Sequence, residues 1–146
     1  MNDFIERFEM VLATTPRRLV DISESAAAAK PEPAHWSKKE ILGHLIDSAG
    51  NNHQRFVRAQ FTPLLEIPSY EQEQWVQRQA YHTEPWPDLV NLWLLFNRHL
   101  LHIVKAMPPD VLDHQLVIAG RPAVPLSFVV TDYLHHLEHH LEQIFA

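Results

Sequence analysis

An all-α four-helix bundle is the fold this sequence predicts, and three observations predict it. Four long stretches carry apolar residues at intervals of three and four, eleven prolines punctuate the gaps between them, and the one short extended piece has no credible second strand to pair with. One connection is longer than the others, so the bundle has a long crossover, with short extra helices in the gaps. At 146 residues, residues 1–146 suit one domain with one core.

The elements follow in order. Phe4, Ile5, Phe8, Val11 and Leu12 carry the first helical stripe. Thr15-Pro16 reads as an N-cap followed by proline at the first helical position, so a break or restart is expected before Leu19, Val20 and Ile22. Lys30 to Ala34 is a connector. Ser37-Lys38-Lys39-Glu40 is a capping box, and the helix it opens runs to about Gln60. Gly43 and Gly50 interrupt it at a cost of roughly 1 kcal/mol each, which close packing or access to a site would explain. Pro63 and Pro68 bound a loop, and a short helix from Tyr70 to about Ala80 turns Trp75 and Val76 inward. After Pro85 and Pro87 comes the clearest amphipathic helix, from Leu89 to Val104, ending before Pro108-Pro109. An irregular stretch leads to Pro125, where the last helix begins and runs to Phe145.

Composition excludes several classes of function. Three glycines leave no phosphate-binding glycine loop, and no GxSxG motif occurs. A formal charge of −6 without a sizeable basic cluster argues against nucleic acid or an anionic membrane as partner. No apolar run reaches the roughly 20 residues that span a bilayer, and the N-terminus lacks a signal-peptide core, so a cytoplasmic protein is expected. Cysteine is absent, which removes disulfides, thiolate ligands and a cysteine nucleophile.

The histidines carry the chemistry. Four of eleven lie within His135-His136-Leu137-Glu138-His139-His140, and His136 and His140 are one helical turn apart. At 100° per residue, Val129, Tyr133, His136 and His140 share one line flanked by Val130, Leu137 and Ile144, whereas His135 and His139 fall beside Asp132 and Glu142. The first pair therefore faces the core and the second faces solvent. Two inward imidazoles could be core residues bonded to carbonyls or to Tyr133. As stacked neutral rings on an apolar stripe, however, they cost desolvation without an evident partner. His44 lies at the edge of another apolar stripe, beside Ile41 and Leu45, at a depth where it can approach them. Three nitrogen ligands would leave a coordination position open, as catalytic sites do. Asp47 and Ser48, three and four residues beyond His44, are candidates to orient its ring or touch a metal-bound water, with Asp47 the catalytic candidate; a plain polar residue at the bundle edge is the other reading of Asp47. His35, His53, His82, His99, His102 and His114 lack an inward partner at ligand spacing.

Trp36 to Ser48, continuing to Asn51-Asn52 and Arg55-Phe56, resembles the second-helix signature of the DinB-like superfamily. The segment Pro68 to Trp75 and the ending from His136 to Ile144 resemble its bacillithiol S-transferase branch, once described as metal-dependent hydrolases. Gly43 and Gln143 depart from that branch's pattern. The resemblance implies a four-helix bundle, often a homodimer, with a divalent metal, zinc or nickel, on His44, His136 and His140. It also implies an activity: the metal activates a low-molecular-weight thiol for attack on an electrophilic small molecule. Tyr70, Trp75 and Arg98 are the candidate substrate-binding residues, with core packing and a surface ion pair as their other readings. Metal-dependent hydrolysis, a non-catalytic metal-binding stress protein and a metal-free bundle are the competing functions.

Overall fold

The computed structural model describes residues 1–146. In chain order the elements are α1 (Asn2–Val20), α2 (Glu24–Ala28), α3 (Lys38–Arg58), β1 (Leu64–Ile67), α4 (Gln72–Arg78), α5 (Trp86–Ala106), β2 (Gln115–Ile118), β3 (Val124–Pro125) and α6 (Leu126–Phe145). The four long helices α1, α3, α5 and α6 form the bundle. They enclose one core with Trp93, Phe8, Phe56 and Leu134 among its fully buried side chains. No helix is long and apolar enough to cross a membrane.

Local chemistry sets the helix starts. Ser37 accepts the Glu40 N–H at 3.2 Å while the Glu40 carboxylate accepts the Ser37 N–H at 3.0 Å, so the capping box forms reciprocally at the head of α3. Ser23 caps α2 in the same sense, accepting from the Ala26 N–H; this one-turn helix was hidden in a run of alanines. Pro87 sits in the first turn of α5, where its missing N–H removes no helical bond.

Three expectations need correction. The break at Thr15-Pro16 does not occur, and α1 runs through Pro16. Phe4, Phe8, Thr15 and Leu19 are all buried, so both halves of the helix share one phase. Burying that common face offsets the roughly 3 kcal/mol that an interior proline costs. The chain also contains a sheet: β1 pairs in parallel with β2, Leu65 opposite Leu116, and β2 pairs antiparallel with β3. Strands of four and two residues are too short to show periodicity, and it is the burial of Leu65 and Leu116 that anchors them. Finally, only Val76 of α4 turns inward, whereas Trp75 is 42% exposed.

The two glycines of α3 differ in kind. A Cβ on Gly43 would lie 2.2 Å from the Tyr81 ring, so close approach of that ring demands glycine. A Cβ on Gly50 would meet nothing within 4 Å, and packing does not explain this glycine. Urea unfolding should therefore split them. Gly43→Ala is expected to lose about 1–3 kcal/mol through overpacking, while Gly50→Ala gains up to about 1 kcal/mol from helix propensity.

Candidate metal centre

The antiparallel pairing of α3 with α6 builds the site. Lys38, in the first turn of α3, donates through its ammonium to the carbonyl of Ile144 in the last turn of α6. Further along, Phe56 of α3 packs edge-on against Tyr133 of α6. Between these two contacts the register brings His44 level with His136 and His140.

The three rings form a near-equilateral triangle. Centroids are 5.0 Å apart for His44 and His136, 4.8 Å for His44 and His140, and 4.5 Å for His136 and His140. One nitrogen from each lies within 4.8 Å of the others, and the Nε2 atoms of His44 and His136 are 3.1 Å apart. His44 is fully buried and the other two are half-buried. Trp36 closes one side, its ring 5.1 Å from that of His44. His135 and His139 are exposed, as their helical phase predicts.

Burial holds all three histidines in the neutral form. Desolvation first, and then mutual repulsion with His136 and His140, lowers the His44 pKa to about 3. Desolvation and His140 lower His136 to about 4. Desolvation also lowers His140, against its hydrogen bond to Gln143, which raises it. Gln143 Oε1 lies 2.8 Å from His140 Nδ1, so that nitrogen carries the hydrogen and Nε2 keeps its lone pair. The Nδ1 atoms of His44 and His136 are buried without partners, so nothing outside the cluster sets their tautomers.

This donor set fits a divalent ion. Nitrogens bonded at about 2.0–2.1 Å and separated by a tetrahedral angle lie about 3.3–3.4 Å apart, close to the Nε2 separation observed. Without an ion, the facing Nε2 atoms of His44 and His136 can be satisfied only by sharing one hydrogen. The Nδ1 atoms of His44 and His136 each add about 1–3 kcal/mol for a lost partner, a cost separate from the one an ion on Nε2 would relieve.

Other candidates separate by place. Asp47 is buried, but its Oδ1 accepts from the Tyr81 hydroxyl at 2.6 Å and the Gln79 amide at 2.7 Å; it does not bond His44. Burial raises its pKa, opposed by those two bonds. Ser48 serves Asn52, whose amide donates to both its carbonyl and its hydroxyl. A cavity of about 340 Å³ opens beside the cluster, with His136 in its wall together with Tyr70, Tyr133, Arg55, Arg121 and Asp132. Tyr70 thus lines the cavity. Trp75 stands behind it on the surface, its ring 5.1 Å from that of Tyr70. Arg98 is exposed on α5 and has no part in this wall. The reading from residues missed Gln143 as the partner of His140, although its i+3 spacing signals it, and missed Arg55 and Arg121, which only the fold brings together.

A family model described as the DinB superfamily matches residues 7–144. Among solved structures, YfiT from Bacillus subtilis, described as "a probable metal-dependent hydrolase with an unusual four-helix bundle topology", superposes with a TM-score of 0.87 at 17% identity, over 99% of this chain and 83% of its own. The mycothiol-dependent maleylpyruvate isomerase superposes with a TM-score of 0.79 at 13% identity, over 99% of this chain and 60% of that one. At these identities the likeness is one of fold. Comparison with curated proteins gives no significant match.

Neutral burial makes the metal-free protein sensitive to acid. His44 and His136 have folded pKa values below the unfolded value near 6.5, so the unfolded chain takes up protons first as pH falls. Chelator-treated protein is expected to lose about 1–2 kcal/mol for each of these histidines between pH 7 and pH 5. Urea melts at both values check this, and His44→Gln/His136→Gln should flatten the dependence.

Proposed function

We propose that this chain, which belongs to the DinB superfamily, is a divalent-metal-dependent enzyme that transfers a low-molecular-weight thiol to an electrophilic small molecule. The observation that carries this reading is that His136, one corner of the histidine triangle, also forms part of the wall of the 340 Å³ cavity. A ligand in that cavity meets the cluster directly. His44, His136 and His140 are the residues that would hold the ion, zinc or nickel by ligand type, and three nitrogens leave it a free position. A bound ion would supply Lewis acidity, lowering the pKa of a thiol or a water held against it.

The chain's own residues do the rest. Gln143 fixes the tautomer of His140, and Trp36 excludes water from one side of His44. Burial keeps the three imidazoles unprotonated across the physiological range, so their lone pairs are free. Tyr70, whose pKa burial raises, presents a neutral phenol to the cavity as a hydrogen-bond donor. The thiol reading draws support from the mycothiol dependence of one structural neighbour. Hydrolysis, with water in place of the thiol, is the second reading, favoured by the description of YfiT. A homodimer working in the cytoplasm on small molecules, apart from nucleic acid and membrane, completes the proposal, supported by the family resemblance and the −6 charge.

Elemental analysis of protein purified without a nickel column should find about one divalent ion per chain, and His136→Ala/His140→Ala should abolish it. Mixing loaded protein with a panel of thiols and a chromogenic electrophile should give turnover at least about 100-fold above His44→Ala. Turnover of esters without any thiol selects hydrolysis instead, and neither activity above the His44→Ala background overturns the enzyme reading. Gln143→Leu is expected to weaken metal affinity by about 10–100-fold, measured by competition with a chelator, since the hydrogen bond that orients His140 is lost along with a surface one to His139.

A further inference from the structure

We infer that Arg55 and Arg121 form a subsite for the carboxylate group of a small organic anion, in the cavity against His136. Arg55 is half-buried at the end of α3, yet its guanidinium appears in none of the chain's ion pairs. Arg121, exposed in the turn after β2, is also unpaired, and both line the same cavity. Desolvation lowers the Arg55 pKa, with Tyr70 opposing that shift and repulsion from Arg121 adding to it. Placing two like charges around a partly desolvated cavity is unfavourable unless an anion joins them.

Asp132, on the same wall, is the counterweight. Its field raises the Arg55 pKa without bonding it, and it leaves the wall with two cations against one anion. That excess of one charge stands out on a chain of formal charge −6, and it matches one carboxylate better than a phosphate dianion. A guanidinium fork accepts a carboxylate through two parallel hydrogen bonds, and the cavity volume suits a ligand of a few heavy atoms to a small metabolite. Tyr70, which senses Arg55, offers a further donor at the same wall.

This inference deepens the enzyme reading, since the carboxylate would hold a substrate whose reacting atom lies near His136. The subsite itself needs no metal, and so its test separates the two. In an NMR titration of the metal-stripped full chain at low salt, propionate should shift the Arg55 side-chain N–H resonance saturably. Propanol should not, and phosphate should bind no more tightly than propionate. Arg55→Gln should weaken propionate at least about tenfold and Arg121→Gln by a smaller factor, with Arg55→Lys restoring part of the loss and thermal melts confirming that each variant folds.

In metal-loaded protein, 3-mercaptopropionate should bind about tenfold more tightly than 2-mercaptoethanol, and Arg55→Gln should reduce that margin to about twofold. A margin absent in loaded protein, with propionate binding intact, assigns the carboxylate to the electrophile rather than to the thiol and sustains the subsite. Propionate binding to a protein that takes up no metal sustains the subsite and sinks the enzyme reading. Propionate that binds no better than propanol, that is indifferent to both arginine substitutions, or that phosphate outcompetes overturns the inference.

Discussion

The register between α3 and α6 is the constraint on which the rest of this structure depends. It is pinned at one end of α3 by Lys38 on the carbonyl of Ile144 and toward the other by Phe56 against Tyr133. A slip of one residue along either helix turns its side chains by about 100°, which would carry His44 or the His136–His140 pair out of the shared seam. The capping box at Ser37 and Glu40 matters for the same reason, because it fixes where α3 begins and so the phase of His44 seven residues on.

Around that seam the protein accepts local costs that a purely structural core would avoid. Three imidazoles are desolvated together, and two Nδ1 atoms lack partners. The neighbouring layer is more fully bonded, although Asp47 Oδ2 and Trp93 Nε1 also lack partners. The Tyr133 hydroxyl donates to Asn97, whose amide in turn donates to the Trp93 carbonyl, and Asp47 is gripped by Tyr81 and Gln79. Of the four buried side-chain atoms without partners, two stand on the facing rings of His44 and His136, where desolvated imidazoles meet a cavity wall.

Most of the bundle was legible in the chain because its signals are local. The capping box, the stripe of α5 and the inward phase of His136 and His140 each lie within one helix, where 3.6-residue periodicity speaks directly. What escaped depends on partners far apart in sequence. Pro16 was read as a break because its cost is local, while the burial that offsets it comes from neighbouring helices. The sheet escaped because β1 and β2, separated by the whole of α5, stabilise one another and neither signals alone. Gly43 shows the same limit, since its reason is a ring at position 81. Arg55 belongs to the second-helix resemblance and Arg121 to no motif, and the two become a pair only after folding.

The small sheet has a consequence for how such a protein can diversify. The parallel pairing of β1 with β2 ties together the two connectors that carry Tyr70 and Arg121, whereas the histidines ride on the long helices. The lining is thus divided between a scaffold that keeps the reactive corner and an appended clasp that shapes what enters. Exchange of residues in the clasp leaves the histidine seam untouched. One architecture can in this way retain its inorganic chemistry while its choice of organic guest drifts.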